Sequence, residues 1–255
     1  MTAKIAALYR YPVKGFSPEP LAEARLEKGG TIPFDRAFAI ENGASGFDPR
    51  NPRHLPKIRF LMLMKNERLA AFESHYDEAS GVFSVKAKDA GVPGFEGQPA
   101  TPEGRAALEA WIQATFADEL RGPPRLLQAD GHSFSDVAAK VVHLVNLTSL
   151  RELEERTGQT IDPLRFRPNL VIDAAPAFCE FGWLGKTLEL PGIRLRGTKR
   201  TERCAATNVD PANGARDMQL PRTLLGLYGH TDFGIYLTAE TAGTIRRGEE
   251  FRLLA

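Results

Sequence analysis

A mostly β chain carrying a few helices (β with α+β elements), divided into two parts, is the fold class this sequence predicts. Two observations point that way. Short apolar runs recur between frequent turn signals, with 23 glycines and 18 prolines scattered rather than clustered. The 255 residues exceed one domain of roughly 150, and a breaker, Arg121-Gly122-Pro123-Pro124, sits near the middle. A β-rich part over residues 1–120 and a second part over 121–255 are therefore expected.

The elements follow in order. Ile5 to Val13 reads as a strand stopped near Pro12, and Leu21 to Leu26 alternates like another. After the Gly29-Gly30 turn, Phe34 to Ile40 reads as a third strand, and Gly43 to Leu55 as a loop. Ile58 to Phe72 suits either a short helix or a buried strand. Tyr76 to Gly81 looks like a hairpin turn into a strand, Val82 to Ala87. Thr101 to Phe116 predicts a helix, with Thr101 as N-cap and Pro102 where a missing N–H costs nothing. Its apolar stripe is Ala107, Leu108, Trp111, Ile112 and Thr115. The second part opens with a strand, Val141 to Val145, then a helix, Leu150 to Thr157, closed by Gly158. Ser149 and Glu152 have the spacing of a capping box. Strands are read at Leu170–Ile172, Thr187–Leu190, Ile193–Gly197, Phe233–Thr238 and Phe251–Leu254, a tight turn at Asn213-Gly214, and a short helix at Leu220–Leu227.

Composition excludes several classes. Hydrophobic residues at 42% and charged residues at 25% rule out general disorder. A net charge of +1 gives no case for nucleic acid or an anionic membrane. The longest apolar run, Phe60 to Met64, cannot span a bilayer. Tyr9, Arg10 and Lys14 interrupt any signal-peptide core. Two cysteines, Cys179 and Cys204, are too few for a disulfide scaffold and fit a reducing compartment, so a cytoplasmic location is expected.

Cys204 is the first candidate for chemistry. Lys199, Arg200 and Arg203 precede it within five positions, and nearby positive charge favours the reactive, metal-binding thiolate. Cys179, among Phe178, Phe181 and Trp183, reads as a small core hydrophobe. Of five histidines, His230 in a polar loop beside Asp232 is the best pocket candidate, whereas His143 in an apolar strand reads as structural. No CxxC or HExxH occurs, so structural zinc is not expected. Gly185-Lys186-Thr187 ends like a phosphate loop, but Glu180 stands where the first glycine is needed and a strand follows. No GxGxxG supports a dinucleotide site. Asn146-Leu147-Thr148 is formally a glycosylation sequon, read here as the start of a helix. Lys14, Arg36, Arg165 and Arg167 stand in turn contexts. Together with a helix N-terminus at Asn146 to Ser149 they would make an anion pocket with a thiolate nearby.

The ordered motifs resemble the MOSC superfamily, the molybdenum cofactor sulfurase C-terminal domain. Phe166-Arg167-Pro168-Asn169 matches its FRPN strand, and Arg203-Cys204 through Thr207 to Val209-Asp210-Pro211 matches its RC-x-x-T-x-VDP segment. Phe233 to Tyr236 and Gly243 to Glu249 match its ending. Tyr11-Pro12-Val13-Lys14 and Phe34-Asp35-Arg36 look like the β-barrel domain ahead of MOSC in the amidoxime-reducing branch.

The resemblance implies an N-terminal β-rich domain and a C-terminal MOSC β-barrel with the molybdenum cofactor (Mo-molybdopterin) between them, and no pyridoxal phosphate. It implies Cys204 as the molybdenum ligand, soft thiolate being suited to that role. It implies Lys14, Arg36, Arg167 and Asn169 at the phosphate and pterin, with Asn146 and Ser149 from the helix start, and Arg165 and Arg203 as weaker carry-overs. Three departures stand out. Gly15 replaces the branch's usual serine, Gly248-Glu249 replaces its GD, and no ferredoxin-like cysteine cluster or membrane anchor is seen. The activity implied is reduction of small N-hydroxylated compounds, amidoximes or hydroxylamines, with electrons from a separate protein. The rival reading is a carrier, of persulfide on Cys204 or of the cofactor itself.

Overall fold

The computed structural model describes residues 2–88 and 91–254. In chain order the strands are β1 (Thr2–Arg10), β2 (Glu19–Leu21), β3 (Glu23–Leu26), β4 (Phe38–Glu41), β5 (Phe72–Tyr76), β6 (Phe83–Ala87), β7 (Phe95–Gly97), β8 (Arg125–Gln128), β9 (Val142–Asn146), β10 (Leu170–Asp173), β11 (Thr187–Leu190), β12 (Ile193–Glu202), β13 (Asp232–Ala239), β14 (Gly243–Arg246) and β15 (Glu250–Leu253). The helices are α1 (Pro102–Thr115), α2 (Leu147–Thr157) and α3 (Leu220–Tyr228).

Seven strands close into a barrel. Pairing runs β10-β9-β13-β12-β11-β15-β1, and β1 returns to pair with β10. The neighbours are antiparallel except β9 and β10, whose parallel register needs a crossover. Helix α2 and the segment after it supply that crossover. Inward side chains fill the barrel: Ile5, Leu144, Ile172, Leu188, Leu195, Ile235 and Leu237 are fully buried in one apolar cluster. A barrel of this size is a packed core rather than a container. Any ligand must therefore sit at its rim.

The preceding part is β-rich, as expected. β4 pairs with β8, β5-β6-β7 form a meander, and α1 packs Leu108 and Ile112 into a second core with Phe38, Phe72, Phe83 and Leu126. Thr101 caps α1 by accepting from the Gly104 N–H at 3.1 Å, with Pro102 in the first turn, as its sequence predicts. Ala107 is exposed instead of lying on the buried stripe. Four strand pairings cross the division placed near residue 120: β1 with β10 and with β15, β3 with β14, and β4 with β8.

Several local expectations are corrected. Leu21 to Leu26 is two strands, β2 and β3, not one. Phe34 to Arg36 is a turn, with Phe34 and Arg36 in the left-handed region, and only Phe38 onward pairs. Within Ile58 to Phe72 two short 3-10 turns, Lys57–Arg59 and Glu67–Ala71, replace a helix or strand. Helix α2 starts three residues before Leu150. Its cap is Asn146, whose side chain accepts from the Thr148 N–H at 3.1 Å, so Ser149 is not a cap. Among the described residues no helix is long and apolar enough to cross a membrane.

Candidate functional site

A cleft of about 260 Å³ opens at the barrel rim, against the turns that precede β4 and the segment 135–141. Lys14, Arg36, Arg165, Arg167, Asn169, Arg203 and Cys204 all line it. Residues more than 130 positions apart, such as Arg36 and Arg167, meet because β1 carries the chain start from the barrel straight into the YPVK turn.

At the inner end the guanidinium groups of Arg36 and Arg167 each stand 4.2 Å from the centre of the Tyr11 ring. Tyr11 is fully buried, and its hydroxyl donates to the Pro168 carbonyl at 3.1 Å. Cation and ring face attract most strongly when both are dry. Both arginines have left-handed backbones, with φ of +53° and +52°, a conformation costing non-glycine residues roughly 1–3 kcal/mol each. Arg36 is neutralised by Asp35, both of whose oxygens lie 2.6 Å from one Nη. Burial opposes its charge, but Asp35 outweighs burial and raises its pKa. Among the described residues Arg167 has no carboxylate within ion-pair distance. It donates to the Phe16 carbonyl at 2.9 Å, and burial, aided by Arg36, pushes its pKa down to about 10.

Arg203 repeats that pattern from the opposite wall. It donates to the Phe166 carbonyl at 2.7 Å, lies 3.3 Å from His143 Nε2, and keeps a buried Nε with no partner among the described residues. Burial lowers its pKa. His143 is pushed well below its usual range, by burial first and then by the Arg203 cation. Gly234 makes room for that ring, since a Cβ there would lie 2.9 Å from Nε2 and 2.2 Å from the Leu144 carbonyl. Arg165, by contrast, is spent on a two-bond pair with Asp217 at 2.8 and 2.7 Å. Asn169 is also occupied. Its oxygen accepts from the His143 N–H at 3.1 Å, and its amide donates to Asp35 at 3.0 Å. It fixes the wall rather than facing a ligand.

Cys204 stands at the end of a chain of charges. Lys14 donates to Asp136, Lys57 donates to Asp136 at 3.2 Å, and the same ammonium lies 3.1 Å from Cys204 Sγ. Burial works against the charge on Lys57, but Asp136 and the sulfur outweigh it and raise its pKa. Burial likewise opposes ionisation of Asp136, and the two lysines hold it well below the usual carboxylate range. Burial of Lys14 wins over Asp136 and lowers its pKa. Sequence reasoning missed Lys57, Asp136 and Tyr11, because only tertiary packing places them here.

Asn146 and Ser149 do not reach the cleft. Their polar atoms are consumed on the far side of β9, where Asn146 donates to Glu180 at 3.0 Å and Ser149 Oγ donates to it at 2.9 Å. Glu180 is fully buried, and its burial raises its pKa. Cys179 belongs to this cluster, packs on the barrel core and has its pKa pushed up to about 11 by burial and Glu180. His230 also lies elsewhere, its ring against Phe181 and Tyr228. His143, read as structural, is the histidine that borders the cleft. Among the described residues no three His, Cys, Asp or Glu side chains are grouped to hold a bare metal ion.

The MOSC domain family model matches residues 129–252, and the MOSC N-terminal beta barrel domain matches residues 2–116. The mitochondrial amidoxime-reducing component 1 of Mus musculus is 30% identical over 137 residues, 49% of this chain and 39% of that protein. A molybdenum cofactor sulfurase of Drosophila yakuba is 35% identical over 98 residues, 37% of this chain and 12% of that protein. The match thus spans less than half the length of either relative. The crystal structure of the YUAD protein from Bacillus subtilis aligns over 99% of this chain and 96% of that one, at 14% identity and a TM-score of 0.47.

Proposed function

The chain belongs to the MOSC family, with that family's N-terminal β-barrel domain ahead of the MOSC domain, and from this we propose that its cleft binds the molybdenum cofactor and that the protein reduces N-hydroxylated compounds. The observation that carries the reading is a pair of half-buried arginines, Arg167 and Arg203, that make no ion pair among the described residues and line one cleft with Cys204. A buried cation without a counter-charge is costly, and a bound phosphate would remove that cost. The unpartnered Nε of Arg203 fits the same group. Cys204 offers one soft ligand, which suits a metal whose other ligands arrive with the cofactor.

The residues divide the work. Arg36, Arg167 and Arg203 would bind the phosphate and pterin, with Lys14 fixing the floor through Asp136. Asn169 and Asp35 hold the two arginine-bearing turns together. Cys204 would hold the metal, and Lys57 would balance the thiolate's charge. When bound, the cofactor supplies two-electron oxygen-atom chemistry. The overall reaction adds two electrons and two protons to an N–OH group and yields N–H and water. A separate protein would supply the electrons.

Expression in a host that makes the cofactor, followed by metal and pterin analysis, tests this. Near-stoichiometric molybdenum that disappears in Cys204→Ala, together with benzamidoxime reduction using an artificial donor, is the expected result. A loaded protein inactive on benzamidoxime would remove the reaction and leave the cofactor. Absence of molybdenum with cyanide-releasable sulfur on Cys204 would favour a sulfur carrier instead, in keeping with the sulfurase likeness.

A further inference from the structure

We propose that Lys199 and Arg200 form an oxyanion subsite at the outer wall of the cleft, so that the chain selects N-hydroxylated compounds that also bear a carboxylate or phosphate. The proposal takes the substrate's position from the cofactor reading above and everything else from β12. From Ile193 to Gly197 that strand alternates buried and exposed residues. Its register against β13 then shifts twice, between Gly197 and Lys199 and between Arg200 and Glu202. Such irregularities bend a strand and re-aim its side chains. An undisturbed strand would send alternate residues into the barrel, yet Lys199, Arg200, Thr201 and Glu202 all border the cleft.

Among the described residues neither cation placed there donates a side-chain hydrogen bond. Lys199 is exposed and makes no ion pair within 4 Å among the described residues. Arg200 lies over the Phe181 ring at 4.3 Å and meets Asp232 only at 3.9 Å. Beside them Thr201 is buried, 2% exposed, with an Oγ1 that has no hydrogen-bond partner among the described residues. A buried hydroxyl without a partner marks a place where another group is expected to bind. Glu202 is the one carboxylate of the stretch, so the wall keeps a positive surplus. The inner arginines are the ones matched to the cofactor's phosphate; these outer cations are additional. The planar fork of an arginine beside a lysine and a hydroxyl suits an oxyanion.

Binding of benzamidine, para-carboxybenzamidine and para-phosphonobenzamidine, none of which can be reduced, is measured calorimetrically on the purified protein at low and high salt. We expect either anion to bind about tenfold tighter than benzamidine. The preference should shrink at high salt and vanish in a Lys199→Gln, Arg200→Gln double variant. The tighter of the two anions identifies the source. Lys199→Glu, an exposed change that spares the fold, should reverse the preference. Equal affinities in the natural protein, or a preference that survives the double variant, would overturn the proposal. Molybdenum content of the same samples tests the cofactor reading separately, because the affinity ratio alone decides this one.

Discussion

Replacing Tyr11 with leucine removes the ring between Arg36 and Arg167, while replacing it with phenylalanine removes only the hydroxyl. The two variants separate two contributions. The phenylalanine variant loses one buried hydrogen bond, to Pro168, and should cost about 1 kcal/mol. The leucine variant also loses two cation–ring contacts on a fully buried ring, each with the guanidinium 4.2 Å from the ring centre and worth up to about 2 kcal/mol. It leaves two cations facing each other, so its total cost should be about 5 kcal/mol. Urea denaturation of the cofactor-free protein measures both, since the midpoint and slope give the free energy of unfolding. A gap of about 4 kcal/mol between the variants is expected from the two ring contacts. Equal costs would refute the reasoning, because the ring would then contribute no attraction for the charges.

Three other outcomes follow from the geometry. Gly15→Ser, which restores the hydroxyl of the related branch, should destabilise by roughly 2–4 kcal/mol and lower the melting temperature by roughly 4–16 °C, since φ is +89° and a Cβ would lie 2.8 Å from Leu69 Cδ1; an unchanged melting temperature in calorimetry would show that the turn tolerates the side chain. His143 is buried with its pKa depressed, so the unfolded chain binds the extra proton first. Its contribution is present above about pH 6.5 and lost as pH falls toward the folded value, and unfolding curves of His143→Asn should show a flatter pH dependence below that point. Asn146→Ala should cost about 2–4 kcal/mol through the lost cap and the lost amide donor to buried Glu180, yet leave molybdenum per folded molecule unchanged, because Asn146 lies outside the cleft; metal analysis of the soluble fraction checks it.

Legibility in the sequence tracked how local each cause was. The cap at Thr101, the Gly158 stop and most strand positions depend on residues next to one another, and they were read correctly. The cations at 14, 36, 167 and 203 were legible because their turn contexts and motif order survive in one dimension. The role of Tyr11 was not, since a buried aromatic says nothing of two arginines from distant turns. Lys57 sits in a 3-10 turn with no periodicity to mark it, and Asp136 in a loop. Asn146 and Ser149 were misplaced for the opposite reason. A helix start does offer N–H donors, but here β9 delivers it to the buried side where Glu180 waits. His230 and His143 exchanged roles because an apolar strand that ends at a cleft looks, in sequence, like one that ends in a core.

The closure of the barrel by β1 has a consequence for synthesis. The first strand leaves the ribosome long before residues 170–173 and 250–253, which it must lie between. Until β15 is made, β1 has only β2 and β10 to pair with, and its edge at residues 2–4 stays open to the wrong strand. Contacts this far apart in the chain also close slowly. The arginine turn that follows β1 is therefore assembled late, and cofactor delivered during translation would find Cys204 before it finds a finished wall.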